Sequence, residues 1–146
     1  MLGVFSAMEI SASGLTAERV RMNTIASNVA NANTTRTAGG GTYRRIDPVF
    51  EAELVRTQAG VPDPGAGAVG ASLVRVARIV EDPRDGRLVY EPGHPDANPE
   101  GYVEYPNVNV VEEMVNMLTA SRAYEAGVTS LESVKAMAKS AIEIGR

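Results

Sequence analysis

The strongest constraint on the fold is a spacing near the C-terminal end. From 105 to 146 the apolar residues return at alternating intervals of four and three: Val110, Met114, Met117, Ser121, Tyr124, Val128, Leu131, Lys135, Ala138 and Ile142, with only Ser121 and Lys135 polar. That period belongs to a helix with one apolar stripe, about 50 Å long at ~1.5 Å per residue, and such a stripe needs a partner. Pro106 precedes it, Asn109 stands as its N-cap, and Glu112 three residues on supplies the return half of a capping box. A matching row opens the chain: Met1, Phe5, Met8, Ala12, Leu15, Arg19, Met22, Ala26 and Val29, broken only at Arg19 and widened by Val4 and Ile25. Gly14 weakens this helix by about 1 kcal/mol relative to Ala, allowing close approach or bending. Asn28, Asn31, Asn33, Thr34 and Thr35 are poor helix interiors, so the helix is predicted to end near Ala30.

Two helices of the same period at opposite ends predict an antiparallel, coiled-coil-like pair. The expected fold class is mainly α with a small β insert: an N-terminal helix segment 1–35, a loop-rich middle 36–105, and a C-terminal helix segment 106–146 that pairs with the first. Gly39-Gly40-Gly41 marks a flexible loop, 43–56 reads as extended or short helical structure interrupted by Pro48, and 59–70 is a loop rich in Gly and Pro. Leu73–Val80 and Arg87–Tyr90 are strand candidates, and Asp85-Gly86 between them supplies tight-turn chemistry, so a β-hairpin is expected over 73–90. Pro92, Pro95 and Pro99 then make 91–105 an extended connector. With no Trp and only Phe5 and Phe50, the chain cannot fill a large core. Its helices are therefore expected to complete their packing on other subunits.

Charge and composition exclude several classes. A formal net charge of -4 over 146 residues gives no footprint for nucleic acid or an anionic membrane surface. The absence of Cys excludes disulfides, thiolate zinc sites and thiol catalysis. No apolar run reaches the roughly 20 residues that span a bilayer, so no direct membrane insertion is expected. The first basic residue is Arg19, which does not fit a Sec signal peptide.

The chemical candidates each have a plainer reading. His94 is the only histidine and lies in a Pro/Gly turn without a co-ligand. Asp82, Asp85 and Asp96 lack the spacing and closing glutamate of a calcium loop and suit turns or caps. Gly39-Gly40-Gly41 is not followed by Lys-Ser/Thr, so it cradles no phosphate, and Asn33-Thr34-Thr35 is a chance-level glycosylation match. Glu112 and Glu113 complement the helix dipole, and Thr42-Tyr43-Arg44-Arg45 reads as a solvated or inter-subunit basic cluster. No catalytic residue, cofactor site or metal site is expected, and the chain is not read as an enzyme.

Both ends of the chain carry a resemblance. Ala26-Ser27-Asn28-Val29-Ala30-Asn31-Ala32-Asn33-Thr34-Thr35 resembles the N-terminal signature of bacterial flagellar axial proteins. The stretch from Asn107 to Leu118, continuing through Ser121-Arg122-Ala123-Tyr124-Glu125-Ala126, is similar to their C-terminal signature. Tyr43-Arg44-Arg45, Pro48-Val49-Phe50, Val89-Tyr90-Glu91-Pro92-Gly93-His94-Pro95-Asp96-Ala97 and Glu100-Gly101-Tyr102-Val103 resemble the proximal-rod group within that family. The similarity covers nearly the whole chain and departs mainly in the Ala/Gly-rich loop 59–70.

The resemblance implies a structural subunit of the proximal rod of the flagellar basal body, polymerising through its terminal helices into a torque-transmitting axle for motility. It implies a periplasmic location, export without a cleaved signal peptide through the flagellar type III apparatus, and contacts with copies of itself, other rod proteins, the rod–ring junction protein and the inner-membrane ring. The candidate subunit-interface residues are Phe5, Met8, Leu15, Met22, Asn28, Asn31, Val110, Met114, Met117, Tyr124, Val128 and Leu131. Two alternatives are a distal rod or hook component, generally longer with a larger middle, and a free helical coiled-coil adaptor, for which heptad-like rows are equally expected.

Overall fold

The computed structural model describes residues 2–54 and 72–144, with side chains described for 6–53 and 72–143. The loop expected at 59–70 lies outside the described residues, as does the side chain of Phe5. The elements run α1 (Leu2–Ala30), β1 (Ile46–Leu54), β2 (Ser72–Glu81), β3 (Arg87–Tyr90), β4 (Tyr102–Tyr105) and α2 (Val110–Ile144). Two long terminal helices thus flank a small β insert.

Helix α1 stops where the Asn-rich stretch competes with the helical ladder. Asn31 Nδ2 donates to Ser27 O at 2.9 Å, and Thr34 Oγ1 donates to Asn31 Oδ1 at 3.2 Å. Helix α2 starts as its cap directs: the N–H groups of Val111 and Glu112 donate to Asn109 Oδ1 at 3.1 and 3.4 Å. Among the described residues, Glu112 makes no return bond to the Asn109 N–H, so only half of the expected capping box forms.

The expected hairpin over 73–90 is corrected. Strand β2 pairs with β1, and β3 pairs antiparallel with β4 in the register Arg87↔Tyr105, Leu88↔Glu104, Val89↔Val103 and Tyr90↔Tyr102. The reason lies in the stretch between β2 and β3. The Asp82 carboxylate accepts from the Arg84 N–H and Nε (3.0 and 2.9 Å), which fixes a local turn around Pro83. Gly86 is needed for close passage: a Cβ there would lie 2.2 Å from Tyr105 O, and its N–H donates to Glu104 Oε1. Its glycine character serves β4, not a return of the chain onto β2. Pro48 sits within β1, which is tolerable because a two-stranded sheet leaves each strand an open edge. The connector from β3 to β4 turns on Asn98, whose Oδ1 accepts from Glu100 N and Tyr102 N, and on Gly101 at φ +86°.

The chain divides into two compact units. One comprises Met1–Val20, Val49–Arg78 and Ala120–Arg146; the other comprises Arg21–Pro48 and Ile79–Thr119. In the first, Ala17 and Ala120 are buried, and Gly127 receives Leu15 so closely that an added Cβ would lie 2.9 Å from Leu15 Cδ2. Gly14, by contrast, has open space beside it, so the close approach considered there occurs at Gly127. In the second, the buried apolar side chains are Ile25, Ala32, Val103 and Pro106. Three polar side chains are sealed among them: Thr24, Asn28 and Glu113.

Candidate functional site

The second unit is built around a buried carboxylate. Glu113 occupies the first turn of α2 and is 1 % exposed. A carboxylate there is tolerated only if it is fully bonded. Its Oε2 accepts from Asn28 Nδ2 at 3.0 Å, and its Oε1 accepts from Arg45 Nε at 2.8 Å. Arg45 reaches on to Asp47 Oδ2 at 2.6 Å, while its own N–H donates to Asn107 Oδ1 at 2.9 Å.

Asn28, at the end of α1, is fully buried and uses its whole hydrogen-bonding capacity. Its Nδ2 also donates to Ile46 O, and its Oδ1 accepts from Ile46 N and from the Tyr43 hydroxyl, each at 2.9 Å. Three distant segments therefore meet at one polar cluster: the end of α1, the lead into β1, and the start of α2. Burial pulls the Arg45 guanidinium down, but its bonds to Asp47 and Glu113 outweigh this and hold it above its ordinary value. Burial, then the Glu113 and Glu81 carboxylates, hold the Tyr43 phenol above its usual range, with Arg45 opposing.

This arrangement corrects two readings of the sequence. Tyr43 and Arg45 are not a solvated basic patch; they close the buried cluster. Glu113 does more than complement a dipole, whereas Glu112 stays exposed as a first-turn acid.

The opposite face of the same turns is apolar and open. Val111, Met114, Val115 and Leu118 are 70, 63, 59 and 55 % exposed. Their spacing i, i+3, i+4, i+7 places them on one side of the helix as a continuous stripe. Val110 is exposed at its margin, and Met137 and Ile142 expose apolar surface near the far end of α2. On the β3–β4 ribbon, Leu88, Tyr90 and Tyr102 also point outward, with Tyr90 and Tyr102 edge to face at 5.3 Å.

Of the interface candidates, Val110 and Met114 are exposed, while Met8, Leu15, Met22, Met117, Tyr124, Val128 and Leu131 are half-buried. Asn28 is fully buried and bonded to Glu113, Ile46 and Tyr43, and Asn31 is a half-buried helix terminator. Val111, Val115 and Leu118 were not on the expected row. The signal that finds them is the 3-4-7 pattern of Val111–Leu118 read on its own, one residue out of phase with the row at 110 and 117.

The remaining chemical candidates have structural roles. His94 Nδ1 accepts from Asp96 N at 3.1 Å within the β3–β4 connector. Asp96 accepts from Thr35 Oγ1 at 2.8 Å, tying that connector to the segment after α1. Among the described residues no cluster of His, Asp or Glu could hold a metal ion, and no helix is long and apolar enough to cross a membrane.

Comparison with known proteins follows the same two ends. Residues 8–36 match the family model for flagella basal body rod protein, and residues 100–144 match that for the C-terminal part of flagellar basal body rod FlgEFG proteins. The chain is 43 % identical to the flagellar basal-body rod protein FlgC of Borreliella burgdorferi over 98 % of both chains. It is 41 % identical to that of Bacillus subtilis over 97 % of this chain and 98 % of the relative. It is 39 % identical to that of Escherichia coli over 99 % of this chain and all of the relative.

Proposed function

Because the chain belongs to the FlgC family of flagellar basal-body rod proteins, we propose that it is a structural subunit of the rod that assembles through its terminal helices. The observation that carries this reading is the open stripe Val111, Met114, Val115 and Leu118, contiguous apolar surface on a helix end whose other face is already sealed. Antiparallel pairing of α1 with α2 belongs to the same reading. It is supported by Leu15 lying against Gly127 and Asn28 against Glu113, two pairings that run in opposite chain senses.

On this reading the interface comprises the stripe, Val110 and the half-buried Met8, Leu15, Met22, Met117, Tyr124, Val128 and Leu131, with Phe5 as an N-terminal member and Asn28 and Asn31 at the end of α1 beside it. The partners are copies of the chain and other rod proteins, the rod–ring junction protein and the inner-membrane ring. The periplasmic rod is its location and the flagellar type III apparatus its export route. The terminal segments 1–35 and 106–146 act as the polymerising module and 36–105 as the outer insert. The task is mechanical: helix contacts repeated between subunits transmit torque, and no bond is made or broken.

The test places one charge in the stripe. Leu118→Asp or Val111→Asp, expressed in a strain lacking its own copy, should leave the chain folded and exported yet absent from purified basal bodies, with motility lost. Normal swimming by both variants would refute assembly through this stripe.

A further inference from the structure

We infer that the Asn28–Glu113–Arg45 cluster is a register lock, fixing the rotation and axial setting of α2's opening turns so that Val111, Met114, Val115 and Leu118 face outward as one stripe. The inference rests on the assembly reading and adds which buried residues define the surface that assembles. Within this unit the apolar contacts are thin: Ile25, Ala32, Val103 and Pro106 are its buried apolar side chains, and small or isolated residues slide past one another at little cost. Polar geometry is far less forgiving. Both oxygens of Glu113 are bonded, and Asn28 has no spare donor or acceptor.

A slip of one residue turns a helix by about 100°. It would put Glu112 or Met114 where Glu113 sits, and the outward row would become Val110, Glu113, Met114 and Met117, or Glu112, Val115, Asn116 and Thr119. A slip of about one turn brings Asn109, Val110, Asn116 or Met117 opposite Asn28, and none of these carries a negative charge for the Arg45 guanidinium. Glu112 alone among these could replace the carboxylate, and that setting interrupts the outward stripe with Glu113. Every other alternative leaves Arg45 short of a buried carboxylate, so only the observed setting satisfies the cluster and presents an unbroken apolar stripe together. A buried ion pair contributes little net stability against a neutral replacement of similar volume, and its best-attested use is to specify a register. The same segment shows the two features together: a charge on the face that must be unique, and bare apolar surface on the face that must be presented.

The test compares two variants of the full-length chain. Arg45→Met/Glu113→Gln removes both charges, keeps side-chain bulk and leaves Asn28 an acceptor. Leu118→Asp alters the stripe and leaves the cluster intact. The readouts are melting temperature, two-dimensional amide NMR spectra of the purified chain, and incorporation into basal bodies in a strain lacking its own copy. The double variant should melt close to the wild type, show a second set of amide signals for residues 110–119, and incorporate about tenfold less, equivalent to about 1.4 kcal/mol. A single set of signals, normal incorporation, or a double variant that fails to fold would each overturn the lock. Leu118→Asp should keep one set of signals and lose incorporation; if it incorporates normally, the assembly reading fails, and the NMR comparison still judges the lock on its own.

Discussion

On the opening turns of α2, the face turned inward carries Glu113, charged and sealed, while the face turned outward carries Val111, Met114, Val115 and Leu118, apolar and open. Further along the same helix the inward positions are Ala120, half-buried Tyr124 and half-buried Leu131, and the outward ones include Arg122, Glu125 and Glu132. From Ala120 to Glu132 the helix follows the conventional pattern of apolar residues inward and charged residues outward, before Met137 and Ile142 again expose apolar surface. The first turns invert that pattern. A chain selected only to fold alone would gain by exchanging the two faces, so the inversion marks where folding and association make different demands on one helix.

Three substitutions on and around these two faces differ in their expected effect on folding, from the largest to the smallest. Glu113→Leu makes the inward face conventional but strands Arg45 and the Asn28 amide. A loss of about 3–5 kcal/mol is expected in chemical denaturation, and a loss below about 1 kcal/mol would mean that the buried charge is not holding the unit together. Tyr43→Phe removes one donor to Asn28 Oδ1, and about 1 kcal/mol should be lost at neutral pH. It also sharpens the alkaline limb. The folded-state pKa of Tyr43 is raised above the ordinary 10.0, so its contribution is complete below pH 10 and declines as pH rises from there through the folded value. In Tyr43→Phe that part of the decline should vanish from stability measured between about pH 9 and 12. An unchanged slope would show that the phenol is not linked to folding. Last, Leu118→Asp should move folding stability by no more than about 0.5 kcal/mol, since an exposed side chain has little to lose. A large destabilisation would show that Leu118 packs within the chain and that the outward face is not free.

Much of this fold could be read from the sequence wherever local chemistry decides the outcome. The Asn/Thr-rich stretch after Ala30 ends α1, and Asn109 caps α2, because both effects act within one helical turn. The strands near 73–80 and 87–90 were also legible, but their partners were not. Asp85-Gly86 has the composition of a hairpin turn, and only the proximity of Tyr105 O reveals why Gly is needed at 86. The inward place of Glu113 was hidden for a related reason. A rule that turns apolar residues inward assigns Met114 to the interior and leaves Glu113 outside. The contrary arrangement depends on partners 68 and 85 residues away, Arg45 and Asn28, which no local window contains. The stripe at 111, 114, 115 and 118 was present in the spacing all along, and becomes meaningful only once its opposite face is known to be occupied.

The long reach of Glu113 also has a consequence in time. A ribosome adding about 5–20 residues per second produces Arg45 roughly 3–14 s before Glu113, because 68 residues separate them. Throughout that interval Asn28, Tyr43 and Arg45 exist without the carboxylate that joins them, and the unit cannot close. Its folding is therefore a late event, timed by the arrival of one residue near the far end of the chain, and until then the segment stays open to whatever must handle it unfolded.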